Sequence, residues 1–130
     1  MCYTRSTAAG YFREIALDAQ TFFVGKGNFL DDFYSADPQE QKRLLDEPID
    51  TTLVADDNRR YAAYFAAMVE HLAWCHKLPC PVWVQDETFR LPDPYFLYEN
   101  WRFRAWQLVA TPPAFKSRNI FGGDDMLSRV

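Results

Sequence analysis

At 130 residues the chain has the size of one domain and can bury a core without help from metal or disulfides. With 48% apolar and 17% aromatic residues it is not expected to be disordered, and a formal charge of −4 argues against a general nucleic-acid binder. The charge is uneven: residues 1–97 carry nine Lys or Arg against fifteen Asp or Glu, residues 98–130 five against three. A mildly basic tail follows an acidic body. Three cysteines (Cys2, Cys75, Cys80) suggest no disulfide framework. The N-terminus lacks the apolar run of a signal peptide, and no stretch reaches the 18 or so apolar residues of a membrane span. These features together predict a cytoplasmic protein without a membrane partner.

Ser6 or Thr7 can cap a first helix carrying Phe12, Ile15, Ala16, Ala19, Phe22 and Phe23 on one side. Gly25-Lys26-Gly27 reads as a break in it, because the pair of glycines lacks every other element of a phosphate loop. Asn28 to Asp31 restarts the helix, with Phe29, Leu30 and Phe33 on its apolar face. Asp37-Pro38-Gln39-Glu40 is the clearest start signal: a cap, proline at the first helical position, and an acid three residues after the cap. That helix ends before Pro48, and residues 49–57 read as a loop.

Asp56 or Asp57 is expected to cap the longest helix, about residues 58–78. Tyr61, Tyr64, Phe65, Met68, Leu72 and Cys75 fall in one narrow stripe, which makes this the core helix. Four prolines and several aromatics between residues 79 and 97 predict an ordered, extended segment packed across the helices. A last long helix spans residues 98–110. Short turns near Ala114–Ile120, at Gly122-Gly123 and through Leu127 close the chain. The whole of 1–130 reads as one all-α domain of about five helices around an aromatic core.

His71, Cys75, His76 and Cys80 are four potential zinc ligands within ten residues. On a helix His71 and Cys75 lie about 40° apart, but His76 points about 100° further round, so the set does not converge. The same divergence removes a cysteine–histidine nucleophile, and no metal, cofactor or catalytic residue is assigned. The acidic pairs Asp31-Asp32, Asp56-Asp57 and Asp124-Asp125 read as helix caps.

The helix at 98–110 has two apolar sides. Trp101, Ala105 and Leu108 form one face, while Phe103 and Trp106, flanked by Arg102 and Arg104, form the other. Such a helix is either wholly buried or buried on one side and docked on the other. Trp with Arg is the usual composition of an interface anchor, so Arg102, Phe103, Arg104, Trp106, Lys116 and Arg118 are the candidate partner-binding residues. For the tail, solvated charges on a helix laid onto the core are the simpler reading. A basic lip for phosphates is the alternative, and so few cations would bind nucleic acid weakly.

Trp83-Val84, the segment from Pro92 to Phe96, and Thr111-Pro112-Pro113-Ala114-Phe115-x-x-Arg118-Asn119-Ile120-Phe121 followed by Leu127-x-Arg129-Val130 resemble a group of small bacterial proteins without an assigned activity. These commonly end in P-x-x-F-x-x-R-N-I-F…L-x-R-V and are often encoded beside nucleotidyltransferase-like genes, in pairs like toxin–antitoxin modules. The likeness covers about residues 58–130. It implies a helical fold and a protein partner, with no catalytic residues to carry over. The expectation is a non-enzymatic interaction protein, the antitoxin-like member of such a module. A nucleic-acid-binding regulator ranks second and an enzyme third.

Overall fold

The computed structural model describes residues 5–123 and 127. The fold is all-α. Among the described residues there are six α-helices, four short 3-10 turns and one pair of two-residue strands.

Helix α1 (Ala8–Ala16) starts where the Thr7 hydroxyl accepts a hydrogen bond from the Gly10 amide at 3.0 Å. It stops at Asp18, which takes a left-handed φ of 59°. The Ala19 amide donates back to the Glu14 carbonyl and Asp18 to Ile15, the Schellman pattern that usually employs glycine. The first helix is therefore shorter than its apolar spacing suggests. Helix α2 (Phe22–Tyr34) then runs straight through Gly25-Lys26-Gly27. The expected break is not there. Gly25 serves close approach instead, because a Cβ on it would lie 3.1 Å from the Ile15 Cδ1 methyl of α1.

Helix α3 (Pro38–Asp46) forms as its start signal dictates, with the Asp37 carboxylate accepting from the Glu40 amide at 2.8 Å. Leu44 and Leu45 are fully buried. The following loop contains a 3-10 turn, Thr51–Leu53, capped by Asp50.

Helix α4 (Arg59–Cys75) is flanked by Asn58 rather than Asp56 or Asp57. The Asn58 amide accepts from the Ala55 N–H and donates to the Leu53 carbonyl, which fixes the preceding turn. Tyr64, Phe65, Met68 and Leu72 lie in the core as the stripe predicts. Cys75 does not, being exposed at the helix end. Termination again falls on a left-handed non-glycine residue, Lys77 (φ 56°), with Leu78 donating to the Ala73 carbonyl.

The core where α1, α2 and α4 meet is aromatic. Phe22 stacks on Tyr61 at 4.4 Å between centroids, and its edge meets Tyr64 at 5.1 Å. Phe65 takes edge contacts from Phe12 and Phe29 at 6.4 and 6.2 Å, separations at which aromatic pairs attract.

The proline-rich segment is ordered. It folds into two 3-10 turns, Val82–Gln85 and Glu87–Phe89, with Val84 and Phe89 buried. Arg59 of α4 ties it down by donating to the carbonyls of Thr88 and Arg90. The Trp83 indole donates to the Leu45 carbonyl at 3.1 Å. The segment ends in strand β1 (Tyr95–Phe96), which pairs in parallel with β2 (Ile120–Phe121).

Between the strands, the expected long helix is a 3-10 turn (Trp101–Phe103) leading into the seven-residue α5 (Arg104–Ala110). A one-turn helix, α6 (Pro113–Lys116), begins at proline and buries Phe115 edge-on against Tyr64 at 5.0 Å. Cys2, the pair Asp124-Asp125, and Arg129 and Val130 lie outside the described residues.

Candidate functional site

The tail motif builds the support on which α5 stands. Arg118, expected on a basic rim, is 3% exposed. Its guanidinium pairs with Glu70 at 2.8 Å and donates to the carbonyls of Ala114 and Val84, each at 2.7 Å. A buried guanidinium needs a counter-charge and acceptors, and three segments of the chain supply a carboxylate and two carbonyls. Arg118 is a structural staple inside the fold and does not form part of an exposed basic rim. Asn119 takes φ 65° and donates from its amide to the Leu91 carbonyl. Ile120 is buried, and Phe121 stacks on Phe96 at 5.2 Å.

α5 is held mainly by polar contacts. Gln107, fully buried, accepts from the Tyr98 amide and donates to the Tyr98 carbonyl, each at 3.0 Å. The Thr111 hydroxyl donates to the Gln107 carbonyl at 2.5 Å and accepts from the amides of Gly122 and Gly123. Lys116 donates to the Val109 carbonyl at 2.9 Å, capping the end of α5. The Trp106 ring rests on Gly123, which has φ +87° and whose added Cβ would fall 2.2 Å from the indole.

Almost everything else on α5 faces water. Trp101 is 74% exposed and Val109 78%, with Phe103 and Leu108 at 47% each and Trp106 at 37%. The face expected to be buried, Trp101 with Ala105 and Leu108, is therefore open. Neither side of the helix is in the core. Tyr98, Phe103 and Trp106 form a cluster with centroids 5.7–6.4 Å apart. The Arg104 guanidinium lies 4.5 Å from the Phe96 ring centroid, and Arg102 lies 5.7 Å from that of Trp101. The structure thus brings Arg102, Phe103, Arg104 and Trp106 onto one exposed element. Lys116 adjoins it as a cap.

The histidine–cysteine cluster divides. His71 Nε2 lies 3.4 Å from Cys75 Sγ, while the His76 ring meets the Phe33 ring edge-on at 5.0 Å. No group of three or more His, Cys, Asp or Glu that could hold a metal occurs among the described residues. Burial, reinforced by His76, holds the His71 pKa below the ordinary imidazole value. The ring is neutral at pH 7 and a weak base for the thiol.

Next to this pair lies a groove of about 640 Å³, lined by Glu70, His71, Trp74 and Leu78 on and just after α4, by Cys80 and Gln85, and by Pro113 and Ala114 of α6. Burial raises the Glu70 carboxyl, but hydrogen bonds and charge from Arg118, with help from Gln85 and Arg90, outweigh it and leave the pKa below the ordinary value. Burial, then the nearby Glu70, push the Cys80 thiol up. Sequence reasoning missed this groove. The available signal was Trp74, which lies on the opposite side of α4 from the apolar stripe and is 78% exposed.

No helix is long and apolar enough to cross a membrane among the described residues. No family model, curated protein or solved structure matches the chain.

Proposed function

We propose that this chain is a protein-interaction module whose docking surface is the outward side of α5 and the turn before it. The carrying observation is the exposure of apolar side chains on both sides of a short helix, Trp101 and Val109 above all. Single exposed apolar residues are ordinary, but a run of them beside two arginines has the composition of an interface anchor. Arg102 and Arg104 suit a partner that brings carboxylates to the rim of an apolar patch. The resemblance of residues 111–130 to the tail of antitoxin-like proteins supports the same reading and suggests a nucleotidyltransferase-like partner encoded beside this chain. A nucleic-acid reading has less to rest on, since Arg118 is buried in an ion pair and Lys116 is spent on the α5 carbonyl.

The test is co-expression with the product of the adjacent gene, followed by co-purification and titration. Trp101→Ala and Trp106→Ala should each weaken the complex by about 2 kcal/mol, the usual size for a hot spot. Undiminished affinity in both variants, or binding of nucleic acid in place of protein, would overturn the reading.

A further inference from the structure

We propose that the groove between α4 and α6 is a small-molecule site that takes a planar aromatic ligand bearing a cationic amidine group. Its volume of about 640 Å³ lies within the 300–1,000 Å³ usual for ligand clefts. Its sides are apolar, from Leu78, Pro113 and Ala114, and Trp74 offers an indole that is 78% exposed. An aromatic body of one or two rings fits such walls, and a cation near the indole gains from the ring's negative face.

Beside the polar His71, Cys80 and Gln85, the charged group in the groove's lining is the Glu70 carboxylate. Glu70 Oε2 accepts from Arg118 at 2.8 Å and Oε1 from Gln85 at 2.7 Å, which leaves each oxygen a further lone pair. Both oxygens are fixed in place by these bonds, so binding costs little reordering of the carboxylate. Arg118 is 3% exposed and gives three of its five N–H donors to Glu70 and to two carbonyls. What the groove presents is the anion, at 26% side-chain exposure, rather than the guanidinium behind it. A forked N–H donor can engage two carboxylate oxygens at once, the geometry that makes amidine–carboxylate pairs strong. His71, the other titratable group on the α4 side, is held neutral and does not repel a cation.

The experiment is calorimetric titration of the full chain with benzamidine and with its uncharged isostere benzamide. Benzamidine should bind saturably with one site per chain, and benzamide about tenfold more weakly or less. Trp74→Ala, at an exposed position, should weaken benzamidine by about fivefold or more without lowering the thermal midpoint. Glu70→Gln should abolish the preference for the amidine. Because that variant also unpairs Arg118, the isostere comparison and Trp74→Ala decide the matter if it does not fold. Equal affinity for the two probes, no saturation, or indifference to Trp74→Ala would overturn the proposal. Normal partner binding by the Trp74 variant would separate this site from the α5 surface.

Discussion

Helices α4 and α5 are both apolar on more than one side, yet they meet water on opposite terms. α4 buries ten of its seventeen residues, whereas α5 buries one of seven, and that one is Gln107. The difference lies in side-chain size. Five of the ten buried residues of α4 are alanines (Ala62, Ala63, Ala66, Ala67, Ala73), which let neighbouring elements approach the helix from several directions. α5 carries Trp106, Leu108 and Val109 in a helix too short to be surrounded. One helix is a hub of packing. The other is a platform fastened by its polar groups.

The largest effects should come from the hub. Phe65→Ala should cost about 3–5 kcal/mol of global stability in denaturant unfolding, through lost burial and a cavity at a fully enclosed site. Arg118→Met should cost about 2–4 kcal/mol, because it leaves Glu70 without its partner and two carbonyls without donors. Acid sharpens the same point. Glu70 and His71 both have folded-state pKa values below their ordinary 4.5 and 6.5, so the unfolded chain binds protons more readily. The stabilisation from each is present above the ordinary value and is lost as pH falls below it. Stability measured by circular-dichroism unfolding should therefore fall from about pH 6.5 downward, first through His71 and then through Glu70.

The platform should respond differently. Gly123→Ala combines a positive φ with a collision against the Trp106 ring, so it should cost about 1–2 kcal/mol. The disturbance should be local, seen as a shift in tryptophan fluorescence while the far-ultraviolet signal of α1 to α4 is kept. Trp101→Ala should change stability by less than about 0.5 kcal/mol, as expected where the side chain touches little. A loss comparable to that of Phe65→Ala would place Trp101 in a packed site and dissolve the contrast between the helices.

Much of this contrast was hidden in the sequence for physical reasons. The α3 start at Asp37-Pro38 and the inward register of α4 were legible because capping and 3.6-residue periodicity are local. The ends of α1 and α4 were not, since they turn on Asp18 and Lys77 in a left-handed conformation that glycine ordinarily marks. The same habit made Gly25-Lys26-Gly27 look like a break, when Gly25 answers to Ile15 in another helix. Arg118 reads as a surface cation because arginine is rarely buried without a partner, and its partner lies 48 residues away. The groove has the same origin. Trp74 and Pro113 become neighbours only through the fold.

Tyr95 lies opposite Ile120 and Phe96 opposite Phe121, so α5 and α6 hang in a circuit whose two ends are stitched side by side. A protease that cuts α5 or the turn before it, trypsin at Arg102 or Arg104 for example, opens that circuit without separating its ends. The strand pairing, the Arg118 staple and Phe115 beneath Tyr64 still join the two pieces. The nicked protein should elute as one species until denaturant parts it. From then on the tail is an exchangeable peptide, and a synthetic segment of altered sequence can be returned to the same seat.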